Sequence, residues 1–250
     1  MNINIDSMMP KALYHKMVEN KKQGRKNLAV LIDPDAEKIQ HLTETLDLCQ
    51  KLEVDYLFIG GSCLLQDRLE KCLTAARQLT NIPLLLFPGN GFQIHPAADA
   101  LLLLSLVSGR NPDYLIGKHV EAAMKLKESN LELISTAYIL VHGGSSQTAS
   151  YLSQTLPIPG DKYELAVATA LASQQLNFQC IYLEAGSGAK HAVQGRMIQE
   201  VSNHIHVPLI VGGGIREVEQ LNTAFSSGAD IAVIGNVLEK NPEKLIQMMK

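Results

Sequence analysis

Short apolar runs, each followed by a longer stretch of mixed polarity, alternate along the chain. The runs are Leu28–Ile32, Tyr56–Ile59, Pro83–Phe87, Ala100–Leu104, Leu133–Val141, Cys180–Leu183, Pro208–Val211 and Ile231–Ile234. Most are almost wholly apolar, so both faces of each predicted strand must be buried, as in a parallel sheet wrapped by helices. Between them Ala36–Lys51, Leu64–Leu79, Gly117–Ser129, Lys162–Leu176, Val193–Asn203 and Glu217–Ser227 carry helical patterns. Eight units in 250 residues, about 31 residues each, fit a closed (β/α)8 barrel better than an open sheet. Met1–Lys26 predicts a helix beneath the first strand, so residues 1–250 read as a single barrel domain with an N-terminal helical extension.

Two segments break the pattern. Pro88-Gly89-Asn90-Gly91-Phe92-Gln93-Ile94-His95-Pro96 stands where the third helix belongs, and its prolines and glycines forbid a regular helix. The predicted fold is therefore α/β, a modified TIM barrel lacking a regular third helix. The second oddity is Leu133–Gly160, which contains no Asp, Glu, Lys or Arg. It reads either as a strand followed by a long polar surface loop or as a lid over an apolar ligand, where charge would be costly to desolvate.

Composition narrows the function. The chain holds 22 basic and 25 acidic residues, with 5% aromatics and no tryptophan, which argues against a nucleic-acid binder. Cys49, Cys63, Cys72 and Cys180 show no C-x-x-C spacing and read as buried, reduced thiols of a cytoplasmic protein. The N-terminal stretch lacks the apolar core of a signal peptide, and the most apolar run, Ala100–Val107, is too short for a membrane span.

In such barrels chemistry gathers at the C-terminal strand ends. Strand six is followed by Tyr182-Leu183-Glu184-Ala185-Gly186-Ser187-Gly188, strand seven by Gly212-Gly213-Gly214-Ile215-Arg216, and strand eight by Gly235-Asn236. Three neighbouring glycine-rich loops expose backbone N–H groups, and following helix N-termini add positive potential, so together they predict a phosphate cup. Asp33 ends strand one in Asp33-Pro34-Asp35, where Asp35 reads as a helix cap. A carboxylate facing a phosphate pocket needs a cation between them, and Mg²⁺ with few protein ligands suits that. Ser62, in Gly60-Gly61-Ser62 after strand two, is either a second oxygen ligand or an N-cap. Glu184 either holds its loop or bonds substrate hydroxyls and acts as a general base. His142 and His191 lie in mouth loops without metal spacing. No lysine lies within a predicted strand and no carboxylate ends strand five, which argues against a Schiff-base aldolase or a two-carboxylate isomerase.

These motifs, with Phe87-Pro88-Gly89 and Thr136-Ala137-Tyr138-Ile139-Leu140, resemble the geranylgeranylglyceryl phosphate synthase family over nearly the whole chain. Asp33-Pro34-Asp35 and the Tyr138–Pro159 segment resemble its larger-subunit group. The resemblance implies a cytoplasmic, Mg²⁺-dependent prenyltransferase of ether phospholipid biosynthesis. It joins an allylic prenyl diphosphate to the 3-hydroxyl of sn-glycerol 1-phosphate on a barrel whose third helix is missing. By position, Asp33 and Ser62 would ligate the metal, and Tyr182, Leu183, Glu184, Ala185, Gly186, Ser187, Gly188, Gly213, Gly214, Gly235 and Asn236 would hold glycerol phosphate. Tyr182 and Glu184 would serve catalysis. The resemblance also implies dimers or hexamers and transient contact with a membrane surface.

Two departures are visible. Leu31 stands where the bacterial heptaprenyl subgroup has a lysine, which argues against that subgroup, and Ala189-Lys190-His191-Ala192 replaces a proline-containing turn. Two other readings stay open on the residues alone: a barrel isomerase or lyase acting on a phosphorylated metabolite, and a non-catalytic barrel that binds one and acts through assembly.

Overall fold

The computed structural model describes residues 12–34, 42–61, 68–89, 93–145 and 147–235. Eight parallel strands close into a barrel in sequence order. They are β1 (Asn27–Ile32), β2 (Tyr56–Ile59), β3 (Leu84–Leu86), β4 (Ala100–Leu106), β5 (Glu132–Leu140), β6 (Cys180–Glu184), β7 (Leu209–Gly212) and β8 (Ile231–Ile234). β1 pairs with both β2 and β8, which removes every sheet edge. Alternation along each strand divides the core in two. Ala29, Phe58, Leu102, Tyr138, Tyr182 and Ile210 fill the barrel interior, whereas Val30, Leu57, Leu101, Ile139, Leu183 and Val211 pack against the helices.

Helix α1 (Ala12–Lys22) lies under the barrel, and Met17 closes the floor at 1% exposure. The Glu132 carboxylate accepts the N–H groups of Leu13 and Tyr14, both at 2.9 Å, and so caps α1 from the start of β5. Lys21 pairs with Asp230 at 2.7 Å across the same floor.

The outer helices follow the hydrophobic pattern. They are α2 (Leu42–Lys51), α3 (Leu69–Leu79), α4 (Lys118–Ser129), α5 (Thr148–Ser153), α6 (Tyr163–Gln175), α7 (Gly195–His204) and α8 (Val218–Ser226). In α3 the buried residues Leu69, Cys72, Leu73 and Ala76 make one continuous stripe. Cys49, Cys72 and Cys180 are buried and free. Cys63 and the cap position Asp35 lie outside the described residues.

Both irregular segments have structural counterparts. Among the described residues no helix joins β3 to β4. After β5, a backbone bridge pairs Val141 with Ile158 and closes an excursion that contains α5. That span is thus a strand followed by a short packed helix rather than an open polar loop. Among the described residues no helix is long and apolar enough to cross a membrane.

Candidate active site

Tyr182 and Glu184 are alternate residues of β6, so both project into the barrel, at its C-terminal end. Glu184 is 6% exposed and Tyr182 fully buried. Gly186 donates its N–H to Glu184 Oε1 at 2.6 Å. Burial pushes the Glu184 carboxyl up to about 7, while the Gly186 N–H and the adjacent Tyr182 hydroxyl pull it the other way. The Tyr182 hydroxyl itself has no well-formed hydrogen bond inside the protein. Burial first, and then the neighbouring Glu184 charge, raise the Tyr182 phenol well above its ordinary range, so it stays a neutral donor.

The turn after β7 packs backbone to backbone on the β6 loop. Gly213 sits at φ +80°, and a Cβ there would lie 2.3 Å from Glu184 Oε1 and 2.6 Å from the Gly186 nitrogen. Only glycine satisfies both the conformation and the space. Ser187 and Gly188 are exposed at the rim, and Gly213, Gly214 and Gly235 are half-buried beside them. Gly188 has nothing within 4 Å of where a side chain would begin, so its backbone is approachable from outside. Arg216 holds this cup together by donating to the Ala189 carbonyl at 2.6 Å. The N-terminus of α8 contributes less positive potential than its sequence suggests. Gln220 Oε1 already accepts the N–H groups of Arg216 and Glu217, at 2.7 and 3.1 Å.

Within the expected glycerol phosphate set, Leu183 and Ala185 differ from their neighbours in where their side chains point. The Leu183 and Ala185 side chains belong to the helix layer, because strand alternation turns them away from Tyr182 and Glu184. The Ala185 backbone is also committed, its N–H to Gly212 and its carbonyl to the Gln147 amide. Asn236 and Ser62 lie outside the described residues.

Asp33 leaves β1 with inward parity and is half-buried at the mouth. A side chain at Gly61 would meet its carboxylate at 3.5 Å, so the carboxylate stands over the end of β2. Among the described residues no three His, Cys, Asp or Glu side chains converge into a metal cage. The chemistry available at Asp33 is a single hard oxygen donor at an open mouth. That fits Mg²⁺, which takes one or two carboxylates and completes its shell with water and substrate phosphates. His142 and His191 are both exposed at the rim of β5 and β6.

Beside the polar cup runs an apolar cleft with about 930 Å³ of empty space, counting its open mouth. It starts at Phe87, Tyr138 and Leu106 and descends along β4 to Leu101, Ala122 and Leu126. The missing helix explains it: Leu101 and Leu103 face outward from β4 without a regular third helix against that side. Ala149 and Leu152 of α5 form part of its wall. Tyr114 ties that wall together, its hydroxyl donating to the Leu152 carbonyl at 3.3 Å. From Leu101 to Leu106 the cleft follows five residues of strand, roughly 17 Å.

Cleft and cup meet at an aromatic cluster. Phe87, Tyr138 and Tyr182 have ring centroids 5.3 to 5.9 Å apart, with Tyr138 and Tyr182 directly paired across β5 and β6. Phe87 and Tyr138 line the cleft, and Tyr182 adjoins Glu184. Buried glutamines hold the surrounding loops, and neither stands out in the sequence as a site residue. Gln93 accepts the Gly89 N–H at 3.0 Å and donates to the Gly61 carbonyl at 3.3 Å, linking the ends of β2 and β3. Gln147 donates to the carbonyls of Val141 and Ala185, linking the ends of β5 and β6.

Fold and site together define a (β/α)8-barrel protein with a bipartite site, one half glycine-rich and polar, the other apolar and elongated. A PcrB family profile matches residues 20–250, and the chain belongs to that family. It is 42% identical over 240 residues to the geranylgeranylglyceryl phosphate synthase of Chitinophaga pinensis, covering 96% of this chain and 95% of the relative. It is 44% identical over 228 residues to the enzyme of the same name from Spirosoma linguale, covering 91% and 92%. A crystal structure of (S)-3-O-geranylgeranylglyceryl phosphate synthase from Thermoplasma acidophilum, in complex with its substrate sn-glycerol-1-phosphate, superposes with a TM-score of 0.87. It shares 28% identity and covers 95% of each chain.

Proposed function

We propose that this protein transfers a prenyl group from an allylic diphosphate, geranylgeranyl diphosphate in the first place, to the 3-hydroxyl of sn-glycerol 1-phosphate. The observation that carries this reading is the junction at Tyr138 and Tyr182, whose rings lie 5.3 Å apart. One ring belongs to a cleft suited to a hydrocarbon and the other to a cup suited to a phosphorylated polyol. The family membership and the named relatives support the same assignment. The length of the cleft supports the donor. Roughly 17 Å of apolar wall along β4 suits a long hydrocarbon tail.

Asp33 is the residue we assign to the metal, with Ser62 as a further oxygen ligand. Bound Mg²⁺ would neutralise the diphosphate as the allylic C–O bond breaks. The chain's own residues do the rest. The cleft fixes the tail so that C1 lies at the aromatic cluster, where the faces of Phe87, Tyr138 and Tyr182 stabilise developing positive charge. The glycine loops of Ser187-Gly188, Gly213-Gly214 and Gly235-Asn236 grip the acceptor phosphate through backbone N–H groups, and Gly186 shapes the turn that presents them. That aims the 3-hydroxyl at C1 and turns a bimolecular encounter into a positioned one. Glu184 accepts the hydroxyl proton as the new C–O bond forms, and Tyr182 donates a hydrogen bond to the acceptor or the leaving group. The apolar product and the exposed residues Tyr151, on α5, and Leu156, just after it, support brief contact with a membrane surface.

The test is diphosphate release from geranylgeranyl diphosphate plus sn-glycerol 1-phosphate, with and without Mg²⁺. Release that needs both substrates and the metal is expected. Absence of turnover with prenyl donors of every length would end the proposal.

A further inference from the structure

The excursion after β5 serves the site in a way that the roles above do not include. Gln147 is 5% exposed and opens α5. Both partners of its amide nitrogen are carbonyl oxygens, Val141 O at 2.6 Å and Ala185 O. Only the NH₂ end of the amide can face two acceptors, which fixes its orientation. The carbonyl of Ala185 belongs to the same peptide group as the N–H of Gly186, and that N–H donates to Glu184 Oε1 at 2.6 Å. One rigid peptide plane therefore joins Gln147 on one side to Glu184 on the other. Packing enforces the same arrangement. Gly186 sits at φ +98°, and a Cβ there would lie 2.6 Å from Gln147 Cγ. Gln147 Oε1 meanwhile is buried without a partner. That desolvation cost is one an apolar side chain of the same shape would avoid.

We propose that Gln147 is a positioning residue that locks the Ala185–Gly186 peptide and thereby orients the Glu184 carboxylate and the acceptor loop behind it. The inference deepens the prenyltransferase reading and rests on it for the role of Glu184. The groups facing Glu184 are Tyr182 from β6, Tyr138 from β5, the backbone of Gly212 and Gly213 at the end of β7, and the Gly186 N–H. Of these only the tyrosines titrate, and both stay neutral through the pH range of interest. Freed from Gln147, the 185–186 peptide can rotate and withdraw its N–H from the carboxylate. Glu184 then becomes harder to ionise and less well aimed.

The experiment uses the full chain and the variants Gln147→Met, which keeps shape and removes the donors, and Gln147→Asn, which keeps the amide one methylene short. Glu184 is titrated by carboxyl carbon NMR with substrates absent. kcat and both KM values are measured across pH. In the variants the Glu184 titration should move upward by roughly one pH unit, the effect of one lost hydrogen bond to a carboxylate. At neutral pH, kcat/KM for glycerol phosphate should fall about tenfold. The KM for prenyl diphosphate should stay within about twofold. An unmoved Glu184 titration, or equal losses toward both substrates, overturns the proposal. If Gln147→Met does not fold, Gln147→Asn decides by the same readings. Wild type without turnover would end the prenyltransferase reading while the NMR titration still judges the Gln147 lock.

Discussion

Glu184 offers a test of the site that needs no substrate. Its carboxyl titrates at about 7 in the folded protein against 4.5 in an ordinary setting, because burial disfavours the charged form. Below 4.5 the group is protonated whether the chain is folded or not, and it costs nothing. As pH rises from 4.5 to about 7, the unfolded chain releases this proton and the folded one keeps it, so stability falls. Above about 7 both states are ionised and the loss is complete. At about 1.4 kcal/mol for each pH unit, the ionised carboxylate costs the fold about 3 kcal/mol. For a barrel of this size that is roughly 6–12 °C in Tm.

Glu184→Gln keeps an oxygen to accept the Gly186 N–H and cannot ionise, so it should lose this component. Urea unfolding of wild type and variant at half-unit steps from pH 4.5 to 8 makes the comparison, because every other titrating group cancels between the two proteins. The variant should gain on wild type steadily through the window and lead by about 3 kcal/mol at pH 8. Turnover should move the opposite way. In wild type kcat/KM for the acceptor should climb with pH toward about 7 as the base ionises, and the variant should be down by about 10²–10⁴. Parallel stability curves would refute the buried, ionisable Glu184 on which the chemistry depends.

Tyr182→Phe should leave Tm unchanged or slightly raised, since the hydroxyl it removes is buried without a well-formed partner, and should cut kcat by at least about tenfold. Equal losses of stability and turnover would show the hydroxyl to be structural. Asp33→Asn should abolish Mg²⁺-dependent release of diphosphate and leave calorimetric binding of sn-glycerol 1-phosphate in metal-free buffer intact; lost acceptor binding would place Asp33 in the wrong half of the site. Ala122→Phe puts a ring into the lower cleft. It should shift the preferred donor from four isoprene units toward two or three, at about 1–3 kcal/mol of overpacking, and a donor-length series that did not change would detach the cleft from the prenyl tail.

How far the sequence could be read depended on how local each signal was. Burial on both faces marks the eight strands directly, and their ends then place Asp33, Tyr182 and Glu184 at the mouth by parity alone. Pro88 to Pro96 announces the missing helix for the same local reason. The same parity argument sorts the strand-six motif. Leu183 and Ala185 stand in it beside Tyr182 and Glu184, but a strand sends neighbouring side chains to opposite layers, so theirs pack against the helices. The cleft is hidden for a different reason, because its lining comes from β4, α4, α5, the ends of β3 and β5, and the connecting residues Ile94 and Tyr114. No periodicity along one segment reports a surface assembled from so many.

The charge-free span after β5 shows why absence of charge is an ambiguous signal. It packs against the loop that follows β6 on one side and walls the cleft with Ala149 and Leu152 on the other. His191 donates its N–H to the Gly143 carbonyl at 3.0 Å, and a Cβ at Gly143 would lie 2.5 Å from the Ala185 carbonyl. Charge is missing there because the segment is wedged between two strand ends whose free carbonyls need neutral donors. Gln147 supplies them. A lysine in its place would bring a charge into a buried pocket beside a carboxylate whose late ionisation is part of its use. The same helix that follows Gln147 presents Ala149 and Leu152 to the cleft. One short insertion thus supports both halves of the site, the polar cup through its first residue and the apolar wall through the next turn. An insertion built this way tolerates little change in length, since a one-residue slip would pull Gln147 out of reach of Ala185 and turn Leu152 away from the cleft together.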